Sequence, residues 1–124
     1  MGKKKVLVIE DTRTVANVIY DLLRATYDVT LCFEGKQGAS LAVGQPWDAI
    51  VTDLSLPGMD GMDVAKAVRQ STGNESLPLI ALTGKSKEAL PPNILESFSA
   101  YLIKPFGIHE LPEMLELFLG EKPA

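Results

Sequence analysis

The sequence predicts an α/β fold: one domain built on a doubly wound sheet of five parallel strands, with helices on both faces. Three observations carry this. Five short apolar runs recur along the chain, the stretches between them show helical spacing, and the runs Val6–Ile9 and Leu79–Leu82 are apolar at every position, as central strands covered on both sides must be. The 124 residues fit one ordinary domain, residues 1–124, and leave no room for a second core. A folded domain of this size hides about two-thirds of the surface its open chain exposes, so neither a disulfide nor a structural metal is needed to hold it.

Taken in order, the first strand is Val6–Ile9. Val15, Val18, Ile19, Leu22 and Leu23 then fall at i, i+3, i+4, i+7 and i+8, one apolar stripe along a first helix. The second strand is Val29–Phe33, followed by a short helix over Lys36–Val43 between Gly35 and Gly44. Ala49–Val51 forms the third strand, and Val64, Ala65 and Val68 stripe a helix over Gly61–Thr72. After the fourth strand, Leu79–Leu82, the place of a fourth helix is interrupted by Pro91 and Pro92. Proline inside a helix loses a hydrogen bond and clashes, at roughly 3 kcal/mol or more. The expectation is an extended loop over 85–90, Pro92 at a first helical position and a short or irregular helix over Asn93–Ser97. Tyr101–Ile103 is the fifth strand. Ile108, Leu111, Leu115, Phe118 and Leu119 share one face of the last helix, whose opening turn Pro112 should disturb and whose end is marked by Gly120 with Pro123 beyond.

Composition excludes several classes. Lysine and arginine total 12 against 16 acids, a net charge of −4, which provides no basic field for a phosphate backbone, so direct nucleic-acid binding is not expected. No apolar run approaches the ~20 residues that span a bilayer. The start, Met1 to Lys5, precedes only four apolar residues, too few for a signal peptide, and Val6 stands where a myristoylation signal wants Ser or Thr. A soluble, cytoplasmic chain without membrane insertion is expected, with Lys3, Lys4 and Lys5 a solvated strand start. Cys32, the single cysteine, reads as a packed strand thiol.

Doubly wound sheets bind ligands beyond the carboxyl ends of their strands, where the winding reverses. Glu10 and Asp11 stand there after the first strand, Asp53 after the third, Thr83 after the fourth, and Lys104 with Pro105 after the fifth. With strand order 2-1-3-4-5, the first and third strands are neighbours and Glu10, Asp11 and Asp53 converge. Three carboxylates so close must take up protons or bind a cation, and a few carboxylates with a carbonyl and waters suit Mg²⁺. Lys104 adds a fixed positive charge and Thr83 a hydroxyl, so the set reads as a site for a phosphoryl group on a carboxylate.

The segments Val6–Asp11, Ala49–Gly61, Leu79–Gly84 and Tyr101–Phe106 resemble the receiver domain of two-component response regulators, of the chemotaxis-regulator type with its flavodoxin-like fold. The resemblance implies that Asp53 is the phosphoacceptor, with a phosphohistidine on a histidine kinase or histidine phosphotransfer protein as donor. It implies Mg²⁺ held by Asp11, Asp53 and the main-chain carbonyl of Ser55, with Glu10 acting through a water. Lys104 would pair with a phosphoryl oxygen, and the Thr83 hydroxyl would move toward another. That movement would draw Tyr101 inward and re-form a surface read by a downstream protein. Pro105 follows Lys104 where the family has a cis peptide, and Ser55 and Lys85 stand where it varies to set how fast the aspartyl phosphate hydrolyses. Such a chain is a signalling phosphoacceptor that assists its own phosphorylation and dephosphorylation, not an enzyme. It can be a stand-alone regulator or part of a longer regulator or hybrid histidine kinase.

The prolines of the 85–99 segment fall on the surface by which receivers usually meet partners, which puts standard dimerisation there in doubt. His109 and Trp47 read as an exposed helix residue and a loop-packing aromatic, and Met59 and Met62 as partly packed. Rival readings fit less well. A haloacid-dehalogenase-like phosphatase also forms an aspartyl phosphate, but it needs a second Asp two residues after its nucleophile, and Asp11 is followed by Thr12 and Arg13. A flavodoxin-like flavin binder wants a phosphate cradle where Glu10 and Asp11 stand. A degenerate receiver acting only as an interaction domain would not keep acceptor, acids, threonine and lysine together.

Overall fold

The computed structural model describes residues 2–120. Its strands, numbered in chain order, are β1 (Lys5–Ile9), β2 (Asp28–Cys32), β3 (Ala49–Asp53), β4 (Leu79–Thr83) and β5 (Ala100–Ile103). All pair in parallel, in the order β2-β1-β3-β4-β5. The helices are α1 (Arg13–Leu23), α2 (Gly35–Gly44), α3 (Gly61–Gln70), α4 (Ile94–Ser97) and α5 (Glu110–Leu119). The winding reverses between β1 and β3, which therefore lie side by side. Every residue of β3 and β4 is buried, as is β1 beyond Lys5, which is why these runs carry no polar alternation.

Strand alternation sorts the core into two halves. Val6, Val8, Val51, Ile80 and Leu82 pack with Ile19 and Leu23 of α1 and Leu111 and Leu115 of α5. Leu7, Ile9, Ile50, Leu79 and Ala81 pack on the opposite face with Ala42 of α2, Val64 and Val68 of α3, and Ile94 and Phe98 around α4. Trp47 is buried beside α2 and donates its Nε1–H to the Leu41 carbonyl at 2.9 Å. Cys32 is buried at the end of β2.

The prolines confine α4 to four residues, preceded by a single 3₁₀ turn at Lys87–Ala89 where an extended loop was expected. Pro92 lies ahead of the capping Asn93 and not at a first helical position. So short a helix has no stability of its own. Ordering four residues costs roughly 4–8 kcal/mol of backbone entropy. Burying Ile94 and Phe98 returns roughly 3–6 kcal/mol. The balance falls to Arg69 of α3, whose guanidinium donates to the Ser97 carbonyl at the end of α4 at 2.8 Å, roughly 1.5–3 kcal/mol before desolvation is subtracted. Its bonds to the carbonyls of Asn74 (3.0 Å) and Leu77 (2.6 Å) tie down the connection from α3 to β4.

Asp53 and Thr83 are the last residues of their strands, not the first beyond them: Asp53 aligns with Leu82, and Thr83 with Ile103. Val18, Ile108 and Phe118 were placed on buried stripes but are exposed. α1 centres its buried arc on Ala16, Ile19 and Leu23, which leaves Val18 outside it, whereas Ile108 precedes α5 and Phe118 lies in that helix's last turn. Pro112 does not disturb α5, because it falls in the first turn, where no backbone N–H has an intrahelical acceptor, and it is buried. Gly120 ends α5 in the left-handed conformation, φ 74°, which glycine adopts without strain. Pro123 lies outside the described residues. Lys3 and Lys4 are more than a solvated start: their ammonium groups bind the carbonyl of Arg24 at the end of α1 (2.9 Å) and of Leu119 at the end of α5 (2.6 Å), where cations suit the helix dipole.

Candidate functional site

The carboxyl ends of β1, β3, β4 and β5 bring the predicted residues together. Glu10 is fully buried and Asp53 is 6% exposed, whereas Asp11 faces solvent. Carboxylate oxygens of the three lie within 4.8 Å of one another. The Lys104 ammonium reaches in from the end of β5 and donates to Glu10 Oε1 at 2.5 Å and to Asp53 Oδ2 at 2.8 Å. The remaining oxygens accept main-chain hydrogens: Glu10 Oε2 from Thr12 N–H and Asp53 Oδ1 from Ser55 N–H, each at 3.1 Å. Lys104 is itself placed by the sheet, since its N–H continues the β4–β5 ladder to the Thr83 carbonyl at 2.7 Å. The Lys104–Pro105 peptide bond is cis.

Electrostatics defines what this cluster can hold. Two carboxylates within 4.8 Å of each other repel by at least roughly 3.5 kcal/mol at an effective dielectric of about 20. One lysine against three carboxylates leaves two uncompensated negative charges, which a divalent cation balances. Burial pushes the Glu10 carboxyl above its ordinary range, and the Asp53 charge adds to this, against the opposing hydrogen bonds from Lys104 and Thr12. For Lys104, burial pulls the ammonium down, but hydrogen bonds to Asp53 and Glu10 outweigh it and the net direction is up. The all-oxygen donor set, with an exposed carboxylate at its rim, fits a hard cation that keeps several waters.

Thr83 is buried, and its Oγ1 accepts the Lys85 N–H at 3.0 Å. Tyr101 is half-buried and packs against the core that holds Ile94 and Phe98. Ser55 and Lys85 both face solvent and line a cleft of about 450 Å³ that runs from Asp11 to Pro91. His109 is exposed ahead of α5. Sequence reasoning missed the fully buried Thr52, whose hydroxyl donates to the Asp53 carbonyl at 3.0 Å. Its signal was a lone hydroxyl in the otherwise apolar run from Ala49 to Thr52. Among the described residues no helix is long and apolar enough to cross a membrane.

The parallel sheet with three acids clustered at its reversal point, two of them bridged by Lys104 just past β5, defines a doubly wound α/β module with an acidic site suited to a cation. The chain belongs to the response regulator receiver domain family, whose pattern it matches over residues 6–116. It is 32% identical over 121 residues to the response regulator ArlR of Staphylococcus saprophyticus, covering 96% of this chain and 54% of that protein. It is 34% identical to the sensor histidine kinase TmoS of Ectopseudomonas mendocina, covering 97% of this chain and 12% of the kinase. The chain thus spans about half of one relative and a small part of the other. Among solved structures it resembles the receiver domain of the sensor histidine kinase PA1611 from Pseudomonas aeruginosa, crystallised with a magnesium ion in its active-site cleft. That match has a TM-score of 0.88 and 33% identity, covering 96% of this chain and 99% of that one. It also resembles the chemotaxis response regulator CheY4 of Vibrio cholerae, with a TM-score of 0.83 and 26% identity, covering 94% of this chain and 99% of that one.

Proposed function

We propose that Asp53 accepts a phosphoryl group from a phosphohistidine on a histidine kinase or histidine phosphotransfer protein. The observation that carries this reading is the meeting of Glu10, Asp11 and Asp53 within 4.8 Å, with Lys104 bonded to two of them. An Asp53 carboxylate oxygen attacks phosphorus while the P–N bond to the donor breaks and the imidazole keeps the electron pair. Asp11, Asp53 and the Ser55 carbonyl would hold Mg²⁺, with Glu10 acting mainly through a water. When bound, the ion would supply charge neutralisation at the transferring group, so that positioning and electrostatics would account for most of the rate. Lys104 exchanges its bond to Asp53 for one to a phosphoryl oxygen. Thr83 gives up the Lys85 N–H and turns its hydroxyl toward another, and Tyr101 follows into the space released.

In this reading residues 1–124 act as one cytoplasmic receiver unit, stand-alone or within a longer regulator or hybrid kinase. It works as a switch and not as a turnover enzyme, with a downstream protein as its reader and no direct contact to nucleic acid. The test is incubation with acetyl phosphate and Mg²⁺, followed by intact mass. One added phosphoryl group is expected, absent with EDTA and absent in Asp53→Asn. An adduct that persists in that variant overturns the assignment.

A further inference from the structure

We propose that Thr52 is a positioning residue for the phosphoacceptor, acting through the main chain of Asp53; this role rests on the reading of Asp53 given above. Two consecutive peptide units join Asp53 to Ser55, and each is held at both ends. In the first, the Leu54 N–H donates to the Leu82 carbonyl at 2.9 Å and the Asp53 carbonyl accepts the Thr52 hydroxyl at 3.0 Å. In the second, the Leu54 carbonyl accepts the Gly61 N–H at 2.9 Å and the Ser55 N–H donates to Asp53 Oδ1 at 3.1 Å. The last bond, together with the one from Lys104 to Oδ2 at 2.8 Å, sets the rotation of the carboxylate, and its direction is inherited from the two peptide planes before it.

Of these four restraints, three use main-chain donors that nearly any sequence could supply. Thr52 alone contributes a side-chain donor, and it does so from a fully buried position. The same carbonyl is crowded from the α3 side. A Cβ on Gly61 would lie 2.3 Å from the Asp53 oxygen, so the first residue of α3 closes over the peptide that Thr52 holds from within. A β-branched side chain on a strand is stiff at χ1, so the hydroxyl is fixed before the acceptor arrives and loses little entropy in bonding it. Loss of this bond frees the Asp53–Leu54 peptide to tilt, and a carboxylate aimed slightly off line attacks more slowly even with its metal bound.

The experiment compares wild type, Thr52→Val, Thr52→Ala and Thr52→Ser. The readouts are the rate of phosphoryl incorporation from acetyl phosphate at saturating Mg²⁺, the carbonyl ¹³C shift of Asp53, and the thermal midpoint. The expected result is a rate about three- to tenfold lower in Thr52→Val, the factor one net hydrogen bond is worth. The Asp53 carbonyl signal should move in that variant, and both properties should return in Thr52→Ser. Thr52→Ala removes the same donor without adding a methyl group and should slow the reaction alike. A wild-type rate in both donorless variants overturns the proposal, whatever their midpoints, and leaves Asp53 as acceptor. Failure of wild type itself to take up phosphate, under conditions that leave it folded, overturns the phosphoacceptor reading and this role with it.

Discussion

The carboxyl ends of β1 and β3 and the connection between β4 and β5 are built on opposite terms. At the first, charged groups that normally seek water are buried, and each is fixed by several partners: Glu10 and Asp53 each accept the Lys104 ammonium and a main-chain hydrogen. At the second, residues 84–89 lie exposed, and regular structure is reduced to a 3₁₀ turn and a four-residue helix anchored by Ile94, Phe98 and the Arg69 guanidinium. On the function proposed for Asp53, the difference separates placement from reporting. A phosphoryl site must hold its geometry, whereas a segment that changes with the state of the site must be held weakly enough to move.

If the two regions are distinct in kind, changes in the first should abolish chemistry without unfolding the chain. The largest effect is expected from Asp53→Asn or from EDTA, either of which should eliminate phosphoryl uptake measured by intact mass. Next comes Lys104→Met, which leaves the buried Glu10 and Asp53 without their cation. Charge-assisted bonds are worth roughly 1.5–3 kcal/mol each, so uptake should fall by about 10- to 100-fold. The same substitution carries a pH signature. Because the Lys104 ammonium is held above its ordinary 10.5, the stability its charge contributes is complete below that pH and lost as pH rises through the higher folded value. The advantage of wild type over Lys104→Met, measured by urea unfolding between pH 8 and 11.5, should therefore shrink only at the alkaline end. An advantage independent of pH would mean that the ion pairs are not its source.

The reverse separation should hold in the second region. Phe98 is 2% exposed, and Phe98→Ala should lower unfolding stability by about 3–5 kcal/mol. In the variant that remains folded, Mg²⁺-dependent phosphorylation should stay within about threefold of wild type, a factor worth well under 1 kcal/mol. Loss of phosphorylation in step with stability would show that the anchor of α4 and the acid cluster are one unit.

This contrast also explains what could be read from the residues alone. Glu10, Asp53, Thr83 and Lys104 stand out because each follows an apolar run abruptly, and strand order brings them together. The exposed Val18 misled because apolar spacing defines a helix but not which arc its neighbours cover, and Ile108 and Phe118 because spacing marks neither where α5 begins nor where its cover ends. Thr52 and Arg69 were missed because their partners are carbonyls, which every residue has, so no sequence pattern marks them. Lys3 and Lys4 looked solvated because the helix ends they reach, at Arg24 and Leu119, are near only after folding.

The smallest effect bears on why the β4–β5 connection is irregular. Without its prolines the segment from Lys85 to Ser99 would read as an amphipathic helix, with Leu90, Ile94 and Phe98 at i, i+4 and i+8. Leu90 and Phe98 already pack against the same core cluster as Ile94, so the apolar face exists and only the backbone is refused. Pro91 and Pro92 lie outside helical structure, so replacing both with alanine removes no favourable contact of a helix interior. It loosens the unfolded chain slightly while allowing new helical hydrogen bonds, and the two effects should cancel to within about 1 kcal/mol. The conformational change should be larger than the energetic one. Backbone ¹³Cα shifts of residues 87–93 should move to helical values and α4 should grow backward from Ile94, with phosphorylation unaltered. Shifts at 90–93 that stay non-helical would locate the cause elsewhere, in the bond by which Arg69 fixes the Ser97 end of α4.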